Sequence, residues 1–530
     1  MCFVCPSRLT SATVANLPED TVVATSVIER AAALAAAHLE TFDLSYGVVA
    51  SNIELDLLYR QTPCTFSAAM QKAAPFLSED FVDVVLRHKD ILDRMINWKR
   101  DELLGHYLLR RGEDLCERPQ YLFLRTALAM HGTDMDAVMQ TYELLSQLHS
   151  DYKEATVAAC LEPWHPEIIG FIEGIRQQAF DQNAGTAARR TVLVNDLFME
   201  RVRNDEDWTL FCPSEAPTLV KLSGRNFQEE YLDLEARSPG QGKVKARQVW
   251  NTIIDSLLLT GGPSVLFKDS INYKSNEQHL GTICQANPHT DTVQWASLFA
   301  TAVCPAAFIV LPNYVTKDGT FDFPTLEYVI RQVVFNMNRL LARTVAPTEE
   351  AETSAYRSKA IKIGVQGFAE TLSLMDIEYG SIASRCLNME IAETIYYVAV
   401  DESANLTSLF GIYPDFKNSP VSRGLLQFDL WEKIPAGNRF DWSALRQKAM
   451  RGTCNSVMVA YGSETNISHF TGCTAAFHPY FSLIGGEGHS AFVPAVNKLL
   501  VRMLDNDGLW SDSMRDKIVA AGGACAIYHF

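Results

Sequence analysis

The spacing of apolar residues changes near residue 155, and this change constrains the fold more than any other feature of the sequence. Before that point, apolar side chains recur three and four residues apart, as at Met135, Val138, Met139 and Tyr142, which is the spacing of an amphipathic helix. After it, short apolar runs of the kind found in buried strands alternate with helical stretches. The alternation predicts an α/β domain that follows a helical region.

This pattern allows the chain to be divided. We predict a flexible N-terminus over 1–24, a helical N-terminal domain over 25–150 and an α/β domain over 151–530. The expected strands are 264–267, 307–311 and 456–460, the expected helices are 325–344, 387–410 and 491–505, and the expected exposed loops are 239–242 and 346–354. Gly132, Thr133 and Asp134 form a predicted turn and helix cap.

Composition argues against several functional classes. The 530 residues carry a formal net charge of −17, whereas a nucleic-acid-binding protein generally needs a basic face that displaces counterions. No run of about 18 apolar residues is present, and the first residues lack the order of a secretory signal, so we expect neither nucleic acid nor a membrane as partner. Twelve scattered cysteines indicate a reducing compartment with mostly buried thiols.

One segment carries the most specific pattern in the chain. It runs from Lys274 to Ile283 as K-S-N-E-Q-H-L-G-T-I and is followed by Asn287, His289 and Asp291. Further patterns occur in a fixed order along the chain. They are E-R-P-Q from Glu117, L-E-P-W-H from Leu161, D-L-F-M-E-R-V from Asp196, W-T-L-F-C-P from Trp208, I-G-V-Q-G from Ile363 and S-P-V-S from Ser419.

Together these patterns resemble the large subunit of ribonucleotide reductase, from about residue 25 to about residue 525. In that family the central segment reads K-S-N-Q-Q-N-L-G-T-I-x-x-S-N-L-C-T-E. The resemblance implies a helical N-terminal domain followed by an α/β barrel of ten strands, with a finger loop that carries the radical cysteine. The connection near 151–161 is short and the matching part ends early, so we expect an incomplete barrel whose open strand edges are covered by local segments or by another subunit.

His289 is the decisive departure from the family's site. The resemblance implies a cysteine at this position, whose thiyl radical takes the 3′ hydrogen of the ribose and later returns it. Imidazole has no comparable hydrogen to exchange, although it moves protons near neutral pH. We expect His289 to be a partly buried polar residue with a hydrogen-bond partner, and the alternatives are a gained acid–base role and a metal-ligand role.

Two other residues of the implied centre are informative. Asn287 is kept, but Asp291 replaces a glutamate and is one methylene shorter, a displacement of roughly 1 Å that can cost about a hundredfold in rate. Cys304 aligns with one cysteine of the family's reducing pair, and the partner cysteine belongs to a stretch that we expect this chain to lack. We therefore expect Cys304 to be a buried thiol outside any disulfide.

The implied phosphate site is also altered. The family's P-T-A-S-T turn lies at a helix N-terminus, where backbone N–H groups face the anion. The aligned residues here are Ser463, Glu464, Thr465, Asn466 and Ile467. Glu464 adds a negative charge beside the expected phosphate, which disfavours diphosphate binding, although a backbone-only anion site stays open.

Two smaller groups receive a structural interpretation. The glycines at 261–262 and 485–488 lack the spacing of a phosphate loop, and we expect turns there. His469, Cys473 and His478 are close in sequence but have no evident fourth ligand, so we expect no metal.

The pattern of losses favours a non-catalytic protein on a reductase scaffold. It resembles the inactive large-subunit homologues of betaherpesviruses, which implies a tegument or other virion protein, also present in the host cytoplasm, that binds viral or host proteins. The resemblance implies no cofactor and no functional pairing with the small reductase subunit, and it leaves a homo-oligomer open. The alternatives are a nucleotide-binding sensor that uses Asn287 without turnover and a divergent active reductase.

Overall fold

A computed structural model gives the structure of the chain. It describes residues 29, 32–33, 36, 45–98, 100, 117–146, 150–152, 158–180, 189–287, 292–344, 346, 348–435, 437, 439–462, 468, 471, 473–480, 483–484 and 496–521.

The region before residue 147 is helical wherever regular structure is described. Its helices are α1 (Ser45–Gln61), α2 (Phe66–Lys72), α3 (Glu79–Arg87), α4 (Lys89–Met95), α5 (Pro119–His131) and α6 (Met135–Ser146). Local signals start them: Ser78 Oγ accepts from Phe81 N at 3.3 Å at the start of α3, and Asp134 Oδ1 accepts from Ala137 N at the start of α6. The predicted turn and cap at 132–134 are thereby confirmed.

Arg118 of the E-R-P-Q motif joins these helices. Its guanidinium carbon lies 4.3 Å from the ring centroid of Tyr59 and 4.9 Å from that of Trp98. Its Nε donates to Thr62 Oγ1 at 2.9 Å. A buried arginine that stacks on rings and has its hydrogen bonds satisfied stabilises the contact between α1 and α5.

The rest of the chain is α/β. The strands described are β1 (Ser150–Tyr152), β2 (Ala158–Leu161), β3 (Arg189–Val194), β4 (Asp207–Leu210), β5 (Gly242–Lys245), β6 (Ser264–Phe267), β7 (Ala306–Val310) and β8 (Lys362–Gln366). The helices described are α7 (Ile168–Phe180), α8 (Asp196–Asn204), α9 (Gly224–Arg237), α10 (Ala246–Thr260), α11 (Lys268–Lys274), α12 (Phe323–Arg343), α13 (Glu349–Ser358), α14 (Phe368–Leu374), α15 (Ile382–Asn405), α16 (Thr407–Phe410), α17 (Gln427–Leu430), α18 (Trp442–Ala449), α19 (Lys498–Asn506) and α20 (Asp512–Ala520).

The first half of this domain is a parallel sheet in the order β2-β3-β6, with helices between its strands. Val192 and Val194 of β3 belong to a buried core with residues of α7, α8, α9 and α10. Within that core the rings of Trp208 and Tyr231 stack with centroids 4.2 Å apart. Because successive side chains of a strand alternate, Thr191 and Leu193 face the side away from these helices.

The second half is the sheet β1-β7-β8, in which β7 and β8 are parallel. The strand predicted over 456–460 is wrong in part, because this segment forms an isolated β-bridge at Val459 rather than a continuous strand. It still runs beside β8: Ile361 N donates to Val457 O at 3.0 Å and Ile363 N to Met458 O at 2.9 Å. Ala307, Ile309, Ile363 and Val365 share the largest core with residues of α12 and α15.

β1 lies at the edge of the second sheet. It lies in the short connection after the helical region and pairs antiparallel with β7, with Ser150 opposite Ile309 and Tyr152 opposite Ala307. The expectation that local segments or another subunit cover the open strand edges stays a prediction. Among the described residues the three sheets do not join into one closed barrel.

Two further predicted elements, a loop and a helix, need correction at their bounds. The loop predicted over 346–354 is wrong in its second part, because α13 begins at Glu349. Thr348 Oγ1 accepts from Ala351 N at 3.2 Å. Glu349, Glu350 and Glu352 lie in the first turn, where their negative charge interacts favourably with the positive end of the helix dipole. The helix predicted over 387–410 begins earlier, at Ile382, where Ser381 caps it, and it is interrupted at Leu406 before α16.

Four further element predictions can be compared with the structure. The strands predicted at 264–267 and 307–311 correspond to β6 and β7, and the helix predicted at 325–344 corresponds to α12. Gly240 and Gln241 form a turn between α9 and β5, as expected for the loop at 239–242.

The helix predicted over 491–505 starts too early. It begins at Lys498, because Asn497 caps it and Val496 forms a β-bridge with Ile484. Residues 491–495 lie outside the described residues.

Candidate functional site

The reductase-like segment follows α11 and is held at both ends by amide side chains. Asn272 Oδ1 accepts from Ile283 N at 2.7 Å, and Asn272 Nδ2 donates to Ile283 O at 3.0 Å. Near the start of the segment, Asn276 Nδ2 donates to Ser456 O at 3.1 Å. These contacts tie the segment to the helix that precedes it and to the strand-like stretch beside β8.

Glu277 lies at the centre of the segment and is 1% exposed. Trp295 N donates to its Oε2 and Ser456 Oγ to its Oε1, both at 2.8 Å. Burial raises the pKa of this carboxyl above its usual range. The carboxylate therefore joins the segment before the loop to the segment after it.

Gly281 explains why Trp295 can approach. Its φ is +146°, and a Cβ built there would lie 2.7 Å from Trp295 Nε1. The glycine of this motif is thus required by the close approach of the indole and by its backbone conformation.

Asn287 closes the loop that carries the other predicted centre residues. Asn287 N donates to Thr292 O at 3.2 Å, and Thr292 N donates to Asn287 Oδ1 at 3.1 Å, so the chain enters and leaves 288–291 at one place. His289 and Asp291 lie outside the described residues, and their expected roles stay predictions.

Cys304 lies just before β7 and is half-buried rather than buried. Its Sγ is 3.9 Å from Pro305 O, and Lys362 N donates to the same carbonyl at 2.9 Å. Cys304 forms no disulfide with any cysteine that the structure describes. The thiol stands at the start of the β7–β8 pair.

Cys160 is the site thiol that sequence reasoning missed. It lies on β2 opposite Thr191 of β3, on the face turned away from the helices. Burial raises its pKa, and a hydrogen bond from the Ala286 backbone opposes that shift. Ala286 immediately precedes Asn287, so Cys160 contacts the base of the loop. The only sequence signal for Cys160 was its position next to the L-E-P-W-H motif. One short apolar run does not show which face of the sheet each of its side chains occupies.

Glu162 and Lys268 give the L-E-P-W-H motif a structural role. Lys268 Nζ donates to Glu162 Oε1 at 2.7 Å and to Val220 O at 2.8 Å, and Trp164 Nε1 donates to Glu162 Oε2 at 3.0 Å. Lys268 is 0% exposed and Glu162 4% exposed, and burial raises the pKa of the Glu162 carboxyl. The pair connects the end of β2 with the start of α11.

Phe308 and Lys362 occupy the inner face of the second sheet. Their neighbours in β7 and β8 pack on the helices, so these two side chains face the opposite side, which in an α/β barrel is the interior. Both are buried, and Lys362 Nζ lies 4.9 Å from the Phe308 ring centroid. A Cβ at Gly364 would come within 2.8 Å of the same ring. The described interior beside β8 is thus filled by side chains.

The altered phosphate turn, Ser463 to Ile467, lies outside the described residues. Just beyond it, Thr474 N and Oγ1 donate to the two oxygens of Glu370 at 2.6 and 2.7 Å. Burial raises the pKa of Cys473 to about 12, and its Sγ lies 3.2 Å from Thr471 Oγ1. His469 lies outside the described residues, and the residues that are described contain no cluster of metal-ligating side chains.

The described centre contains thiols, amides and buried carboxyls. Glu277 accepts from Trp295 N and Ser456 Oγ, and Glu162 accepts from Lys268 Nζ and Trp164 Nε1. Among the helices that the structure describes, none combines the length and apolar character of a bilayer-spanning helix.

Comparisons with known proteins place this site in a family. The model of the ribonucleotide reductase barrel domain matches residues 135–529. The large subunit of ribonucleoside-diphosphate reductase from Danio rerio is 30% identical over 98% of this chain and 80% of that protein. The large chain from Schizosaccharomyces pombe is 29% identical over 95% of this chain and 76% of that protein.

The chain belongs to the ribonucleotide reductase large-subunit family. Its fold is a helical N-terminal region followed by the reductase barrel domain. The match with the fission yeast protein extends over 621 positions, which exceeds the 530 residues of this chain. The relative therefore contains stretches that this chain lacks within the matched span.

Proposed function

We propose that this chain is a reductase large subunit that has lost its catalysis. The observation that carries the proposal is the histidine at position 289, where the family's radical cysteine is expected. Without a cysteine at this position, no thiyl radical can accept the ribose 3′ hydrogen in the first transfer, and no S–H bond of similar strength can return it later. The replacement of the family's glutamate by Asp291 and the short connection before β2 agree with this loss.

The packing of the second sheet supports the same conclusion. Phe308 and Lys362 are buried on the interior face of this sheet, and the lysine lies over the ring. Their side chains reduce the space left beside β8 for a ribose.

The proposal is tested by assaying CDP reduction. The purified chain is supplied with a reductase small subunit and dithiothreitol, and the Danio rerio large subunit serves as the positive control. We expect no dCDP above a heat-inactivated sample. Formation of dCDP at a rate proportional to the concentration of this chain would overturn the proposal.

A second candidate function is nucleotide binding without turnover. It is favoured by Asn287, which the loop holds in place through two hydrogen bonds to Thr292. Isothermal titration with CDP and ADP distinguishes the candidates, since binding near micromolar strength would support the sensor. If no heat of binding is detected up to millimolar nucleotide, the sensor function is ruled out.

A protein without catalysis on this scaffold acts through its surface. We propose viral or host proteins as partners, with the chain in the virion and the host cytoplasm, because the pattern of losses resembles the inactive betaherpesvirus homologues. Proximity labelling in infected cells and immunoblotting of purified virions test this placement. Absence from virions together with labelling confined to another compartment would contradict it.

A further inference from the structure

The turn that follows the reductase-like loop exposes two large apolar side chains. Leu298 is 89% exposed and Phe299 is 79% exposed. Ser297 N donates to Ala300 O at 2.9 Å, Ala300 N donates to Ser297 O at 3.3 Å, and Phe299 N donates to Ser297 Oγ at 3.2 Å. These hydrogen bonds close the backbone of the turn, and an already formed turn lowers the ordering entropy that binding would cost.

Acidic side chains border this turn. Thr301 N donates to Glu350 O at 3.0 Å, so the N-terminus of α13 lies beside the turn. Glu349 and Glu352 of α13 are exposed. Tyr356 is 66% exposed and lies one turn beyond Glu352 on the same face of the helix.

We call the exposed residues of the turn and of the helix start that it contacts the 298–299 surface: Leu298, Phe299, Glu349, Glu352 and Tyr356. Exposed aromatic and apolar anchors next to charged residues are the composition of protein–protein contacts. Scattered single apolar residues are ordinary on a protein surface, but two adjacent ones in a hydrogen-bonded turn are not.

We propose that the 298–299 surface binds a partner protein whose contact segment combines apolar and basic side chains. The apolar side chains of the partner would cover Leu298 and Phe299, and its lysines or arginines would face Glu349 and Glu352. This inference rests on the proposed function, in which protein binding replaces catalysis, and it names the surface at which that binding occurs.

The charge of the surface decides between the possible occupants. A second copy of this chain would bring the same glutamates together across a symmetric contact, and the whole chain carries a net charge of −17. An anionic membrane surface would be repelled for the same reason. A basic partner is the occupant that the border attracts.

The test uses a phage-displayed library of randomised peptides as the probe. The library is selected on the full chain after depletion on the L298S/F299S variant, and recovered peptides are synthesised and titrated calorimetrically at low and high salt. Thermal unfolding of L298S/F299S is expected to match that of the wild type, because both side chains are exposed. I382S is the matched control, since Ile382 is 80% exposed at the start of α15.

We expect recovered peptides to carry apolar residues flanked by lysine or arginine. L298S/F299S weakens their binding at least about tenfold, as loss of two central anchors should. E349Q/E352Q weakens it a few-fold at low salt and little at high salt, because exposed charges are screened. I382S leaves it unchanged.

Three results would overturn the proposal. They are the recovery of no peptide that depends on 298–299, recovery of peptides without basic residues, and a dimer in sedimentation that the L298S/F299S variant loses, which would assign the surface to a second copy. The CDP assay reports separately on the proposed function, because Leu298 and Phe299 lie on the exposed surface. Formation of dCDP would refute the loss of catalysis without changing the peptide result.

Discussion

Glu277 shows how a single residue of the reductase-like segment fixes the loop. The family pattern has glutamine here, and this chain has a carboxylate that is 1% exposed and accepts from Trp295 N and Ser456 Oγ. A buried carboxylate whose hydrogen-bond donors, Trp295 N and Ser456 Oγ, are both neutral carries a desolvation penalty when it is charged. The position was visible in the sequence, but its contact with Ser456 was not, because that residue lies 179 positions away.

The Glu277→Gln variant is expected to stabilise the chain at neutral pH. Burial raises the folded-state pKa of Glu277 above its usual value of 4.5. Its contribution to stability is therefore complete below that value and is lost as the pH rises through the raised pKa. The gain from Gln should be on the order of 1 kcal/mol at pH 7 and vanish near pH 4.

Urea unfolding of the wild type and E277Q between pH 4 and 8 measures this difference. E277A serves as the control, because it leaves Trp295 N and Ser456 Oγ without their acceptor and should cost about 1–3 kcal/mol. A stability difference between E277Q and wild type that does not grow with pH would contradict the assignment.

At the scale of elements, the buried pair Glu162–Lys268 joins two strands that are far apart in sequence. Glu162 follows β2, Lys268 begins α11 directly after β6, and β3 lies between the two strands in the sheet. Both side chains also bond to neutral groups, Trp164 Nε1 and Val220 O. The pair therefore fixes the carboxyl ends of the parallel strands relative to one another.

Removing one partner of this pair should cost far more than removing both. Lys268→Met leaves a buried carboxylate and is expected to destabilise the chain by about 3–5 kcal/mol. The double variant E162Q/K268M keeps the acceptor for Trp164 and should recover at least half of that loss. Chemical denaturation of the four proteins completes the cycle, and additive effects would show that the two residues do not interact.

The elements that sequence predicted are those with their own periodicity or capping signal. β6 and β7 carry short continuous apolar runs, α12 carries a long helical apolar pattern, and all three were placed within about two residues. α13 was missed although Thr348 and the glutamates that follow are a helix-start signal. β1 has three residues and no pattern of its own, because it exists through its pairing with β7. Cys160 was missed for a related reason, since its contact with Ala286 is tertiary.

At the scale of the whole molecule, the helical region packs against the barrel domain through α12. Arg343 Nε donates to Ala129 O at 2.8 Å, and the rings of His131 and Phe335 stack with centroids 5.9 Å apart. His131 is 2% exposed and its Nε2 lies 2.8 Å from Thr141 Oγ1. Burial, aided by nearby Arg339, lowers the pKa of His131 to about 4.

The contact between the two regions should weaken in acid. A histidine whose folded pKa is lowered from 6.5 to about 4 contributes stability that is present above pH 6.5 and is lost as the pH falls toward 4. The loss should not exceed about 3 kcal/mol. The His131→Gln variant cannot charge, so its stability relative to wild type should improve as the pH falls. Differential scanning calorimetry between pH 7 and 4 measures this, and a constant difference would refute it.

The central claim is that the chain cannot take the 3′ hydrogen of a ribonucleotide. Release of tritium to water from CDP labelled at the 3′ position reports on that first step even when no deoxynucleotide is completed. With a small subunit and dithiothreitol present, we predict release no greater than from a heat-inactivated sample, while the Danio rerio large subunit releases tritium under the same conditions. Time-dependent release in proportion to the concentration of this chain would contradict the account.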